Sequence, residues 1–292
     1  MTNKSAINLT EELLDSFVSI LTEHTGIVPR AGHRDGIKNF IERKLTDSPY
    51  SIEEYKNLLT TDKSLISEFV NQSTVNETYF FREEKQFTLL KTKLFPEFKR
   101  KNPGKEIRIW SAACSYGEEA YSLAVMAKSC GLNPVVTASD INSDVLEHCK
   151  SGVFLRTSLR TVDGVEYQKL VLPYQRVDGR IAFPEDIKKF VTTKQLNLME
   201  LDLPQNTLLV PKNQNIIFIR NVFIYFSFEL RKQILYTIAE KCLEEDGYIF
   251  VSMSEIAQLD SNLVPPCLEK VVDGNIFYFH KKCLKTEGKA NG

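Results

Sequence analysis

Two hydrophobic rhythms divide the chain. Over the first 75 residues or so, Leu13, Phe17, Ile20 and Leu21 recur at helical spacing, and no strand-like alternation appears. Ser51-Ile-Glu-Glu54 has the spacing of a capping box and predicts a helix beginning at Ser51. From about residue 106 the pattern turns to strands separated by helices. Glu106-Ile-Arg-Ile-Trp110 alternates, Asn133–Ser139 is a second candidate, and Asn215–Ile219 is short and almost wholly apolar. Runs of that kind suit central strands of a parallel sheet covered on both faces. Ser227 is placed to cap a helix whose stripe is Leu230, Ile234, Leu235, Ile238 and Cys242, with Gly247 after its end and Tyr248–Ser252 as the next strand. Leu268–Val272 and Asn275–Phe279, joined by Asp273-Gly274, predict a hairpin with a two-residue turn.

These elements predict an α/β fold: a mostly parallel, doubly wound sheet finished by an antiparallel hairpin and preceded by a small all-helical domain. The expected domains are 1–75 and 76–292. Within the second, residues 155–192 fit neither rhythm. Val-Asp-Gly occurs there at 162–164 and again at 177–179, which predicts two turns in a small antiparallel insert. The last dozen residues, rich in Lys and Gly, read as a frayed tail.

Composition narrows the function only by exclusion. A formal net charge of −1 exerts no global pull on nucleic acid or acidic membrane. No run approaches the roughly 18 apolar residues of a membrane span, and the first ten residues lack a secretory pattern. The six cysteines are scattered without a CxxC pair, which argues against zinc and a disulfide framework and for a reducing cytoplasm. The histidines at 24, 33, 148 and 280 fall outside every motif considered below.

One loop carries candidate chemistry. Trp110-Ser-Ala-Ala-Cys-Ser-Tyr-Gly-Glu-Glu119 follows a predicted strand and opens a predicted helix. Its small residues admit a ligand close to the backbone, and Gly117 permits a tight turn. With one glycine and two glutamates it is a poor dinucleotide-phosphate cradle, and Glu118–Glu119 better suit a ligand with a positive centre. Asp140 follows Gly117 at about the 20-residue spacing at which a carboxylate takes ribose hydroxyls. A plain strand-to-helix turn explains the loop equally well.

Four motifs together break that tie. Asn76-Glu-Thr-Tyr-Phe-Phe-Arg-Glu83, the 110–119 loop, Ala138-Ser-Asp-Ile-Asn142 and Ile219-Arg-Asn-Val-Phe-Ile-Tyr-Phe226 resemble, in order and spacing, the CheR-type chemotaxis receptor methyltransferases. The likeness runs on to Ser252-Met-Ser-Glu255, and it implies the class I methyltransferase fold. It departs from the family's usual pattern at Tyr116 (commonly threonine), Ala120 (proline), Asn142 (aspartate) and Ile219 (cysteine). The resemblance implies S-adenosyl-L-methionine as cofactor, with S-adenosyl-L-homocysteine as product. It places that cofactor against Asn76, Thr78, Arg82, Ala113, Glu119, Asp140, Asn197, Leu198, Arg220 and Asn221, and no metal. Arg82 and Tyr225 are the implied catalytic pair.

The implied reaction makes glutamate methyl esters on the cytoplasmic domain of a chemoreceptor. An ionised glutamate needs no general base, so a site without a motif histidine is coherent with it. The resemblance also implies docking by the N-terminal domain, for which Arg34 and Lys38, four apart on one helix face, are the candidates. In some relatives the β insert takes up a receptor's C-terminal peptide by strand addition, and residues 160–183 are the matching segment. Competing readings are a related carboxyl methyltransferase in another signalling system, a cofactor-binding interaction module without catalysis, and a dinucleotide oxidoreductase.

Overall fold

The computed structural model describes residues 7–259 and 261–282; the expected C-terminal tail lies almost wholly outside them. Four helices come first: α1 (Glu11–Thr25), α2 (Ala31–Asp47), α3 (Ile52–Thr61) and α4 (Lys63–Gln72). The Ser51 capping box forms with both of its hydrogen bonds. Phe17, Leu21, Ile41, Leu45, Tyr55, Leu59 and Phe69 close a separate small core, each buried completely. Its largest side chains meet as rings, Phe17 lying 6.0 Å from Tyr55 and 6.3 Å from Phe69.

Helices α5 (Glu84–Leu89) and α6 (Phe95–Lys101) then lead into a seven-stranded sheet of order β5-β2-β1-β6-β7-β9-β8. Its strands are β1 (Glu106–Ala112), β2 (Asn133–Asp140), β5 (Val191–Gln195), β6 (Gln214–Ile219), β7 (Leu243–Phe250), β8 (Leu268–Asp273) and β9 (Ile276–Lys281). The first five of these pair in parallel; β9 runs antiparallel to both β7 and β8. Helices α7 (Glu118–Ser129), α8 (Ser143–Ser151) and α10 (Phe228–Thr237) complete the doubly wound arrangement. Two apolar clusters follow from the covered strands, one holding Ile107, Ile109, Val136 and Phe218, the other Trp110, Ile217, Ile219 and Ile249. Because β1 and β6 are neighbours joined through opposite wings of the sheet, a crevice opens at their carboxyl ends.

Two expectations need correction. Gly247 does not end a helix: the chain passes from a π-turn at Ile238–Cys242 straight into β7, and Asp246 takes the left-handed φ of 64° at an irregularity in the β6–β7 register. The hairpin turn is Gly274–Asn275 rather than Asp273-Gly274, since Asp273 pairs with Ile276. The expected small antiparallel insert is present: β3 (Val153–Phe154) pairs with β4 (Ile181–Ala182) among several 3-10 turns, and after the short α9 (Glu185–Lys188) the chain enters the main sheet at Val191. Both Val-Asp-Gly segments do turn, with Gly164 at φ 75° and Gly179 at φ 82°.

Candidate active site

The crevice is built by the loops that leave β1, β2, β5 and β6, with the 74–82 segment and part of the helical domain closing it. Counted out into its open mouth, its empty space is about 910 Å³. Asn76, Thr78, Arg82, Ala113, Glu119, Asp140, Asn197, Leu198, Arg220, Asn221 and Tyr225 all line it. Residues spread over 150 positions of sequence thus share one cleft.

Its backbone is strained. Phe81, Glu83, Ala113, Ser115 and Asn221 all have φ between 51° and 59°, a region that costs an L-residue about 1 kcal/mol or more. Three carboxylates hold these loops. Asp140 accepts from the amides of Ser115 (2.9 Å) and Asn142 (3.0 Å). Glu255, fully buried, accepts from the amides of Asn221 (2.7 Å), Ile224 (3.1 Å) and Ser252 (3.3 Å). Asp163 accepts from the amides of Glu83 (2.7 Å) and Glu84 (3.0 Å). Burial pushes the Asp140 and Glu255 carboxyls above their ordinary range, and those same amides pull them part of the way back. Gly117 makes the strand-to-helix turn at φ 102°, where a Cβ would lie 2.4 Å from the Cys149 sulfur.

Charges in the cleft are already paired in part. Arg220, its side chain 2% exposed, donates from Nε to Glu119 Oε2 (2.7 Å) and from Nη1 to the Arg82 carbonyl (2.7 Å) and Gln86 Oε1 (3.1 Å). Glu119 Oε1 accepts from Ser111 (2.6 Å). Glu118 turns away from the cleft to accept from Ser158 (2.7 Å). The two adjacent glutamates therefore do different work: Glu118 points away from the cleft, and Glu119 lines it while bound to Arg220. Asn197 is likewise engaged, donating to the His24 carbonyl at 2.8 Å and so tying the helical domain to the cleft. Arg82 donates to the Glu77 carbonyl (2.7 Å) through one of its five N–H groups. Tyr225 is half-buried, and that burial raises its phenol pKa.

Sequence reasoning missed His33. It comes from α2, lines the cleft and meets the Tyr225 ring edge-on at 6.0 Å. Its Nε2 faces the Ser73 carbonyl, which can only accept, so Nε2 carries a hydrogen; Nδ1 is buried without a partner among the described residues. Glu83 and Glu255 were quoted only as the ends of motifs, yet Glu83 receives Ser252 and the Met253 amide and lies 3.7 Å from Arg220. No spacing rule links these positions to the site.

The lining suits S-adenosylmethionine. Asp140 ends β2 with no cationic partner among the described residues, and its Oδ2, bonded only to the Ser115 amide there, keeps a lone pair for a ribose hydroxyl. Ile141, Leu196 and Leu198 offer apolar surface to a purine, and at Ala113 no long side chain stands between a ligand and the backbone.

Residues 76–267 match the family model described as CheR methyltransferase, SAM binding domain. The chemotaxis protein methyltransferase of Borreliella burgdorferi is 30% identical over 88% of this chain and 92% of its own length. That of Escherichia coli is 32% identical over 81% of each, and chemotaxis protein methyltransferase 1 of Vibrio cholerae is 30% identical over 86% of this chain and 91% of its own. These likenesses extend well beyond the four motifs, and with them the chain belongs to the CheR family of S-adenosylmethionine-dependent methyltransferases.

Proposed function

We propose that the chain methylates glutamate side chains on the cytoplasmic domain of a chemoreceptor, giving methyl esters in sensory adaptation. The observation that carries this reading is the convergence of four distant motifs on one cleft, with Arg82 and Tyr225 both on its wall. S-adenosylmethionine supplies a methyl group activated by a sulfonium centre. A glutamate carboxylate with an ordinary pKa of about 4.3 is ionised at neutral pH, so the protein has no proton to remove. Its work is to position and to exclude water. Arg82 has N–H groups beyond the one used on Glu77 and orients the incoming carboxylate or the cofactor. Tyr225 walls the transfer path, steadied by His33 at its ring edge. Arg220, Glu119 and Glu255 act through the loops they hold.

Incubation with methyl-labelled S-adenosylmethionine and a receptor cytoplasmic domain tests the reading. Base-labile label recovered as methanol is expected, whereas base-stable label would mean N- or C-methylation and sink the glutamate assignment.

Docking through α2 belongs to the same proposal. Arg34 is bound to Asp15 (2.6 Å) and Glu11 (3.3 Å), Lys38 stands 4.0 Å from Glu42, and Lys44 pairs with Glu68. An acidic receptor helix would exchange with the exposed Glu11 and Asp15 that hold Arg34, a substitution of low cost. Reversing both Arg34 and Lys38 should lower receptor methylation several-fold with cofactor affinity unchanged; unaltered methylation would remove α2 from the interface. The β insert offers strand addition only a short edge, two residue pairs plus the Gln175–Ile181 bridge. No helix among the described residues is long and apolar enough to cross a membrane.

A further inference from the structure

The first Val-Asp-Gly turn of the insert sets the Asp163 carboxylate among four donors. Oδ2 accepts from the Tyr79 hydroxyl (2.9 Å) and the Glu83 amide (2.7 Å); Oδ1 accepts from the Glu84 and Gly164 amides (3.0 Å each). Three of these donors lie on the segment that carries Thr78 and Arg82 into the cleft. That segment needs holding, because Phe81 and Glu83 both adopt left-handed backbone.

Neighbouring contacts repeat the pattern. The Ser158 carbonyl accepts from the Phe80 amide (3.0 Å), and Glu84 accepts from the Glu166 amide (3.0 Å). Arg160 from the insert and Arg82 from the segment both pack on the Tyr79 ring, at 5.1 and 5.5 Å. Gly164 approaches so closely that a Cβ there would lie 2.4 Å from the Phe80 carbonyl oxygen. Asp163 itself is not part of the cleft lining.

We propose that Asp163 is a positioning residue for methyl transfer: by fastening Tyr79, Glu83 and Glu84 it sets where the Arg82 guanidinium stands in the cleft. The insert thereby shapes the cofactor site without touching it. This rests on the reading of Arg82 as a group that holds the cofactor or its product. A clamp of purely structural consequence would lower the stability of the chain and leave Arg82's contribution intact, so the two roles separate in a double-mutant cycle.

The test uses the full chain, titrated calorimetrically with S-adenosylhomocysteine as wild type, Asp163→Ala, Arg82→Ala and the double variant. Hydrogen exchange is followed over residues 79–86 and, as a remote control, over β7. Asp163→Ala should weaken binding about tenfold in the wild-type background and less than about twofold in the Arg82→Ala background. Exchange should quicken over 79–86 and stay unchanged in β7. Tyr79→Phe removes a single donor, and should give a smaller loss of the same kind should Asp163→Ala fold poorly. Wild-type affinity in Asp163→Ala, or equal losses in both backgrounds, would overturn the proposal. Wild-type affinity in Arg82→Ala alone would show instead that Arg82 does not hold the product, and the inference would fall with it.

Discussion

The two Val-Asp-Gly segments of the insert share a tripeptide, an exposed valine and a glycine of positive φ, yet they do different things. At 162–164 the aspartate gathers donors from a segment some 80 residues earlier, and the glycine lies against that segment's backbone. At 177–179 the aspartate accepts from the Arg180 amide and pairs with the Arg180 side chain at 3.8 Å, while the nearest atom to a Cβ on Gly179 is Arg156 Cδ at 3.7 Å. The tripeptide fixes the glycine's positive φ, and the neighbours each segment meets set its consequence. Substitutions made in parallel at the two turns separate these contributions.

The largest difference should come from the glycines. Both have positive φ, so an alanine at either position costs about 1 kcal/mol in backbone strain. At Gly179 little else stands in the way. At Gly164 the added carbon would lie 2.4 Å from a backbone oxygen that cannot swing aside, so the loop must move. Gly164→Ala should lower stability by about 3 kcal/mol or more, against about 1 kcal/mol for Gly179→Ala, in chemical denaturation of the two variants. Equal losses would mean that the 79–84 segment yields freely, and would remove the physical basis for calling it clamped.

The aspartates should differ less, but in the same direction. Asp163→Ala strands partly buried donors and should cost about 1–3 kcal/mol, whereas Asp178→Ala gives up exposed partners and should stay within about 0.5 kcal/mol. Thermal midpoints of the two variants measure this. A loss at Asp178 as large as that at Asp163 would put the stabilisation in the turns themselves rather than in the contact across to Tyr79 and Glu83.

The same contrast explains what could be read from sequence. Ser51 and Ser227 cap their helices as expected, because a cap is decided within four residues. Strands β1 and β2 declared themselves through short apolar patterns. The hairpin slipped by one residue: Asp273-Gly274 is a strong turn signal, but the pairing of Tyr248 with His280 and Ile249 with Phe279 fixes β9, and the turn follows from it. In the cleft, motif resemblance brought together the right residues without saying which of their polar atoms already had partners. Arg220 and Glu119 satisfy each other, and Asn197 reaches back to His24. His33 reaches the site, and Glu255 and Asp163 hold its loops, from other segments by contacts no spacing rule encodes.

The smallest effect, and the one that most sharpens the comparison, is its dependence on pH. Burial acts on Asp163 to raise its pKa, but the Glu84 and Glu83 amides, the Tyr79 hydroxyl and the Gly164 amide outweigh it, and the carboxyl lies below its ordinary value. Stability from such a group is fully present above the unfolded pKa of about 3.9 and is lost as pH falls through the folded one. Glu255 has the opposite sign, since burial dominates there and raises its pKa. Its favourable contribution is complete below the unfolded value of about 4.3 and diminishes as pH rises through the folded value. The cost of Asp163→Asn should therefore shrink as the solution is acidified below about pH 4, while the cost of Glu255→Gln should grow as pH is lowered toward the same region. Denaturation midpoints of both variants and the wild type across the acid range read the two slopes directly. Slopes of the same sign would show that one of these carboxylates is not held as its contacts imply: either Asp163 is only loosely engaged by the 79–84 segment, or Glu255 is hydrated in solution.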